Sequence, residues 1–181
     1  MSKLIQKEKI LSQIKDGLIV SCQALESEPL YSSMIMSRMA LAAMQGGARG
    51  IRANTPVDIC AIRQTVELPV IGLTKKTFPG CSVYITPTEE EVDALHETGC
   101  EIIAMDATRR ERPNGETIDT LFPRLREKYP DQMFMADVAT FEEGVNAERL
   151  GFDLVSTTLA GYTEETHGRN LPDFELMYRL A

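Results

Sequence analysis

Six times along the sequence an apolar run of strand length closes on a polar or charged residue and gives way to a helical stretch. The runs occupy residues 17–22, 48–52, 69–75, 101–106, 132–137 and 153–158. Strand alternating with helix dictates a parallel sheet, because parallel neighbours cannot be joined by a hairpin and need a crossover. In such sheets ligands bind beyond the carboxyl ends of the strands. The residues that close the runs, Gln23, Arg52, Lys75, Asp106, Asp137 and Thr157, are therefore expected to face one shared site. A closed barrel takes eight such units, and this sequence shows six.

The segments between the runs carry helix punctuation. Residues 1–16 alternate Lys, Glu and Gln with Leu and Ile, as in a short amphipathic helix. Residues 32–45 read as a helix closed by Gly46-Gly47, a pair suited to a left-handed cap. Met34, Met36, Met39 and Met44 in that helix are read as core filling rather than as a ligand surface. In Asn54-Thr55-Pro56-Val57-Asp58, Thr55 is the N-cap, Pro56 opens the helix and an acid follows in the first turn. Thr88-Glu89-Glu90-Glu91 and Thr140-Phe141-Glu142-Glu143 are capping boxes, and their helices stop at Thr98-Gly99 and Leu150-Gly151. No linker interrupts the beat, so residues 1–181 are expected to form one domain. Two longer loops break the rhythm and belong on the functional face. One spans 75–88, with Lys76, Phe78, Pro79, Gly80 and an extended piece at 82–86; the other spans 107–116, with Arg109, Arg110, Arg112 and Pro113-Asn114-Gly115.

Composition removes several classes of function. A formal net charge of -8 argues against a nucleic-acid partner. No apolar stretch is long enough to span a bilayer, and the charged start does not suit a signal peptide. Cys22, Cys60, Cys81 and Cys100 lack C-x-x-C spacing, and His96 and His167 complete no ligand cluster, so no metal is expected. The cysteines read as reduced, mostly buried thiols of a cytoplasmic protein. Without Gly-x-Gly-x-x-Gly or a Walker motif, neither a dinucleotide nor a nucleoside triphosphate is expected.

Among the residues closing the runs, Lys75 is the sharpest. Pro69-Val70-Ile71-Gly72-Leu73 reads as a buried strand, and a lysine after it points to the site or to solvent. Inside, desolvation and Arg52 would lower its pKa and suit it to general-base work; Schiff-base chemistry is its other use. By alternation, one of Lys75 and Lys76 faces inward. Asp106 and Asp137 could each bind hydroxyls, act as acid or base, or merely cap the following loop, and position does not separate them. Arg52 suits an anionic or hydroxyl-rich ligand, or a buried ion pair. Gln23 offers both donor and acceptor to a sugar. Thr157-Thr158 and Gly161-Tyr162-Thr163 could add hydroxyls, with Tyr162 equally able to pack under a loop.

The segments Ile19-Val20-Ser21-Cys22-Gln23-Ala24-Leu25, Gly50-Ile51-Arg52-Ala53-Asn54, Pro69-Val70-Ile71-Gly72-Leu73-Thr74-Lys75, Ala104-Met105-Asp106-Ala107-Thr108, Ala136-Asp137-Val138-Ala139-Thr140 and Ser156-Thr157-Thr158-Leu159-Ala160-Gly161-Tyr162-Thr163 together resemble the bacterial N-acetylmannosamine-6-phosphate 2-epimerases. The resemblance implies an α/β fold of the (β/α)8 TIM-barrel family, of the ribulose-phosphate-binding type. It implies interconversion of N-acetylmannosamine 6-phosphate and N-acetylglucosamine 6-phosphate in sialic-acid catabolism, with no metal or organic cofactor. The family's acid/base lysine falls on Lys75, and its substrate-binding Gln, Arg and Asp fall on Gln23, Arg52 and Asp137. Asp106 and Thr157 are then supporting residues. The expected partners are the phosphorylated amino sugar and a second copy of the chain. The family also uses a strand-seven glutamate and a phosphate-gripping Gly-Gly and Arg; no position of 1–181 matches these, so the barrel is expected to be C-terminally incomplete. Two other readings stand beside this one: a noncatalytic partial barrel that self-associates through open sheet edges, and a phosphosugar lyase using Lys75 as a Schiff-base amine.

Overall fold

Strand and helix alternate through the whole computed structural model, which describes residues 3–181, with side chains from residue 5 onward. The strands are β1 (Ile19–Cys22), β2 (Gly50–Asn54), β3 (Val70–Leu73), β4 (Ile102–Asp106), β5 (Met133–Asp137) and β6 (Leu154–Ser156). They hydrogen-bond in chain order, β1-β2-β3-β4-β5-β6. The helices are α1 (Lys3–Ile14), α2 (Ser33–Gln45), α3 (Pro56–Arg63), α4 (Glu89–Glu97), α5 (Ile118–Lys128), α6 (Phe141–Leu150) and α7 (Phe174–Leu180). Of the helix expected over 1–16, Met1 and Ser2 lie outside the described residues. All six runs become strands, with one shift that matters: β2 continues past Arg52 to Asn54. Arg52 is thus a mid-strand residue and not the closing one.

The described chain gathers into two compact units. Unit one comprises the residues up to Lys75 together with Glu90–Ile103; unit two comprises Lys76–Glu89 and Ala104–Ala181. In unit one, β1, β2 and β3 are parallel, with Ser21 opposite Arg52 and Arg52 opposite Ile71. Gly72 reveals which side of this sheet carries the helices. A Cβ there would come within 2.8 Å of Ile59 Cδ1 on α3 and 2.9 Å of Cys100 Sγ, so any larger residue would have to push both side chains aside. Ile51, Ala53 and Val70 share that helix-facing side by register and alternation, and all three are buried. Ser21, Arg52, Asn54, Ile71 and Leu73 consequently share the opposite face.

Unit two builds its core on aromatic packing. Phe122 of α5 meets Phe134 of β5 edge-to-face at 5.3 Å and stacks on Phe152 at 3.7 Å. Phe134 therefore faces the helices, and Met133, Met135 and Asp137 occupy the other side of β5. Arg126 lays its guanidinium over both phenyl rings while bonding Asp153 Oδ2 (2.7 Å) and the Gln132 carbonyl (2.7 Å).

Two of the expected helix starts are capped as read. Thr55 Oγ1 caps the Asp58 amide (3.3 Å), and Thr140 and Glu143 form the reciprocal capping box of α6. At the end of α2 only Gly47 is left-handed (φ 93°), whereas Gly46 is still helical. Two readings of burial need correction. Met36 is in the core, but Met39 and Met44 are half-buried and Met34 is exposed, since α2 covers the sheet with one face only. Cys22 and Cys100 are buried, yet Cys81 is half-buried and Cys60, on the outer face of α3, is exposed. Helix α7, capped by Asp173 Oδ1 on the Leu176 amide (2.9 Å), holds Leu176 in the core and leaves Phe174 and Tyr178 exposed.

Candidate active site

In unit one the face turned away from the helices collects three of the expected residues. Arg52 stands on it at mid-strand, half-buried, opposite Ser21 and Ile71. Gln23, just past β1, donates from Nε2 to Ser21 Oγ (2.8 Å), and its buried Oε1 has no hydrogen-bond partner among the described residues. Lys75 lies two residues beyond Leu73, so alternation continues this face through it. Its backbone N–H is held at 2.8 Å by Oδ1 of Asn54, the residue that closes β2. Lys75 is exposed and Lys76 half-buried, with Lys76 Nζ 5.1 Å from the Phe78 ring centroid; the solvation of the two is the reverse of the expected order. An acceptor, a guanidinium and an ammonium on one face suit an anionic, hydroxyl-bearing ligand.

Unit two treats its two strand-end aspartates differently. Asp106 is wholly buried and fully engaged. Its Oδ1 accepts from the Thr108 amide (2.9 Å) and hydroxyl (2.7 Å), while Oδ2 accepts from Arg110 Nη2 (2.6 Å). Arg110 also reaches Thr108 Oγ1 (2.9 Å) and the Ser82 carbonyl (3.1 Å), tying the loop 107–116 to the segment 76–86. That segment is pinned further by the Asp106 amide on the Ile85 carbonyl (3.0 Å) and by Thr86 Oγ1 on the Ala104 carbonyl (2.7 Å). Asp106 thus caps and braces its loop, the structural alternative of the two weighed for it. Asp137, also buried, ends β5 opposite Ser156, and its carbonyl accepts the Ala107 amide (2.9 Å). Thr157 is half-buried just past β6, its carbonyl accepting from the Ala160 amide (3.1 Å). Tyr162 is exposed and packs under no loop, whereas Thr163 is buried on Thr166 (2.7 Å).

Three residues of consequence escaped the sequence reading. Asn54 was legible only as the residue before a helix cap. Tyr84, half-buried in the segment 76–86, has its phenol pushed up by burial and next by the Asp106 carboxylate, with Asp137 adding to the shift and Arg110 opposing it. Arg112, read as a loop cation, is 2% exposed and donates from Nη2 to the Asp106 carbonyl. Burial pulls its guanidinium below the usual arginine value.

Residues 36–181 match the protein family described as "Putative N-acetylmannosamine-6-phosphate epimerase". A protein of Caldanaerobacter subterraneus named "Putative N-acetylmannosamine-6-phosphate 2-epimerase" is 55% identical over 172 residues, covering 95% of this chain and 73% of the relative. A protein of the same name from an Enterobacter species is 57% identical over 164 residues, or 91% of this chain and 70% of the relative. Among solved structures, the N-acetylmannosamine-6-phosphate 2-epimerase from Clostridium perfringens superposes with a TM-score of 0.88 at 50% identity, covering 94% of this chain and 74% of that one.

Proposed function

From membership of the N-acetylmannosamine-6-phosphate 2-epimerase family, to which this chain belongs, we infer how its residues serve that reaction. The fold is that of the (β/α)8 barrel family, with six parallel strands among the described residues. The chain is an isomerase of amino-sugar metabolism that interconverts N-acetylmannosamine 6-phosphate and N-acetylglucosamine 6-phosphate by inversion at C2. In the ring-opened sugar, C2–H is acidified by the neighbouring aldehyde. In our assignment Lys75 Nζ accepts that proton, the C–H pair becomes the enolate π bond, and the proton returns to the opposite face. Arg52 supplies positive charge toward the enolate and Gln23 bonds the polar groups of the sugar. Asp137 takes hydroxyls, while Asp106 and Thr157 support it by shaping the strand-end loops.

The observation that carries this assignment is the backbone anchor on the lysine. Asn54 Oδ1 fixes the Lys75 amide at the end of the face bearing Arg52, which positions a long, flexible side chain at its root. The two compact units are taken to belong to one barrel domain, a reading supported by a family match that runs through both. A homodimer in the cytoplasm completes the proposal. No helix among the described residues is long and apolar enough to cross a membrane.

Lys75→Ala is the decisive variant. Deuterium wash-in at C2, followed by proton NMR of the sugar phosphate in heavy water, is expected to fall by about a thousandfold, the scale of a lost general base. Undiminished wash-in overturns the role given to Lys75. Borohydride added during turnover is expected to leave the protein mass unchanged; a trapped sugar adduct on Lys75 would favour imine chemistry instead.

A further inference from the structure

Arg112 is an expensive residue to bury. Its side chain sits in unit two with Nε and Nη1 buried and lacking hydrogen-bond partners among the described residues. A guanidinium stripped of water normally requires compensation at each nitrogen. Here Nη2 alone is engaged, and what it grips is the main-chain carbonyl of Asp106. The loop around it is ordered by its own backbone, with the Arg112 amide on the Glu116 carbonyl (2.9 Å) and the Gly115 amide on the Arg112 carbonyl (2.9 Å). Side-chain bonds of Arg110 already hold the Asp106 carboxylate, so Arg112 is not needed to neutralise it.

The carbonyl that Arg112 grips belongs to the same peptide group as the Ala107 amide, and that amide donates to the carbonyl of Asp137 at 2.9 Å. One peptide plane is thus held from both sides. A cation draws on its oxygen, and its nitrogen presents a hydrogen to the last residue of β5. Withdrawing electron density through the carbonyl makes the amide a better donor, so the two bonds strengthen one another. The chain of contacts runs from guanidinium to peptide to the backbone of Asp137.

We propose that Arg112 is a positioning residue for Asp137, acting through the Asp106–Ala107 peptide to fix the end of β5 in the orientation that meets substrate. This rests on the assignment of Asp137 to substrate binding. Arg112 contacts no reacting atom in this scheme; it sets the backbone from which a binding carboxylate projects. A positioning role predicts an effect on sugar affinity that disappears when Asp137 can no longer bind.

The test compares Arg112→Met, Arg112→Lys, Asp137→Asn and the two double variants, all in the full chain. Three readouts are taken: hydrogen exchange of the Ala107 amide, calorimetric affinity for N-acetylmannosamine 6-phosphate, and KM against kcat. Arg112→Met is expected to speed Ala107 exchange and weaken sugar binding by about tenfold each, as for one lost bond to a charged donor. Arg112→Lys, which keeps a cation for the carbonyl, is expected to recover most of both, and it serves in place of Arg112→Met if that variant does not fold. In the Asp137→Asn background the Arg112 substitution is expected to cost little further affinity. Full additivity in the double variants, or a lysine variant no better than methionine, overturns the proposal. If Asp137→Asn alone binds sugar normally, the assignment of Asp137 fails instead, and the accelerated Ala107 exchange still reports the contact by itself.

Discussion

Burial in unit one pushes the Cys100 thiol up to about 11, and this has a measurable consequence for stability. The folded chain keeps that proton where an unfolded thiol, titrating near 9, has lost it. Between those values the folded state binds more protons, so stability is intact below pH of about 9 and declines as pH rises toward about 11. The full contribution is about 3 kcal/mol, from two pKa units of about 1.4 kcal/mol each. Urea titrations across that range should show a steeper alkaline loss for the parent than for Cys100→Ala. Equal slopes would place the thiol outside the core. The four cysteines were read together as mostly buried thiols, which holds for Cys100, directly ahead of an apolar run; the exposure of Cys60 was not legible, because helix phase decides it. Position alone did not separate Asp106 from Asp137, and the family resemblance favoured Asp137 as the binding residue with Asp106 in support. Both end apolar runs and precede similar residues, and the bonds of Asp106 to Thr108 and Arg110, brought round by the loop, were not legible in either segment. Arg112 looked like one more loop cation, since nothing in its neighbours announces that the guanidinium turns inward.

Helix α6 shows what an element can encode locally. Thr140 Oγ1 accepts the Glu143 amide (3.3 Å), and Glu143 Oε2 accepts the Thr140 amide (3.1 Å). Glu143 does more than its motif promises: Oε2 also accepts the Ala139 amide (2.9 Å), and Oε1 accepts the Arg109 amide (3.1 Å) from the neighbouring loop. Removing the threonine hydroxyl should cost about 1 kcal/mol. Glu143→Ala leaves three backbone donors without this acceptor and should cost about 3 kcal/mol. Chemical denaturation of both variants checks the order; equal losses would reduce Glu143 to an ordinary cap. Capping boxes were readable because donor and acceptor lie within one turn of sequence. The extension of β2 to Asn54 was not, because the polar asparagine is retained in the strand by register with Leu73 and by its bond to the Lys75 amide.

For the molecule as a whole, six strand-and-helix repeats were enough to specify a parallel sheet, since strands that alternate with helices are joined by crossovers. The same repeats could not tell how burial is distributed among the strands. β3, β4 and β5 are buried throughout, whereas β1 buries only Cys22 and β6 alternates half-buried with exposed residues. Leu18 is 66% exposed beside β1 and Val155 37% exposed within β6. Light scattering is expected to give the mass of two chains, and a monomer at every concentration tested would overturn the dimer. A slower change awaits the turn at Asn114-Gly115. Asn114 Nδ2 donates to Glu116 Oε2 at 2.6 Å, and Gly115, with a φ of 76°, has no side chain to keep its backbone nitrogen from attacking the Asn114 side-chain carbonyl carbon whenever its bond to the Arg112 carbonyl opens. Deamidation there replaces a donor with a carboxylate facing a carboxylate. The stored protein should therefore drift into a more acidic isoform, and the loop that carries Arg112 should be where age first loosens it.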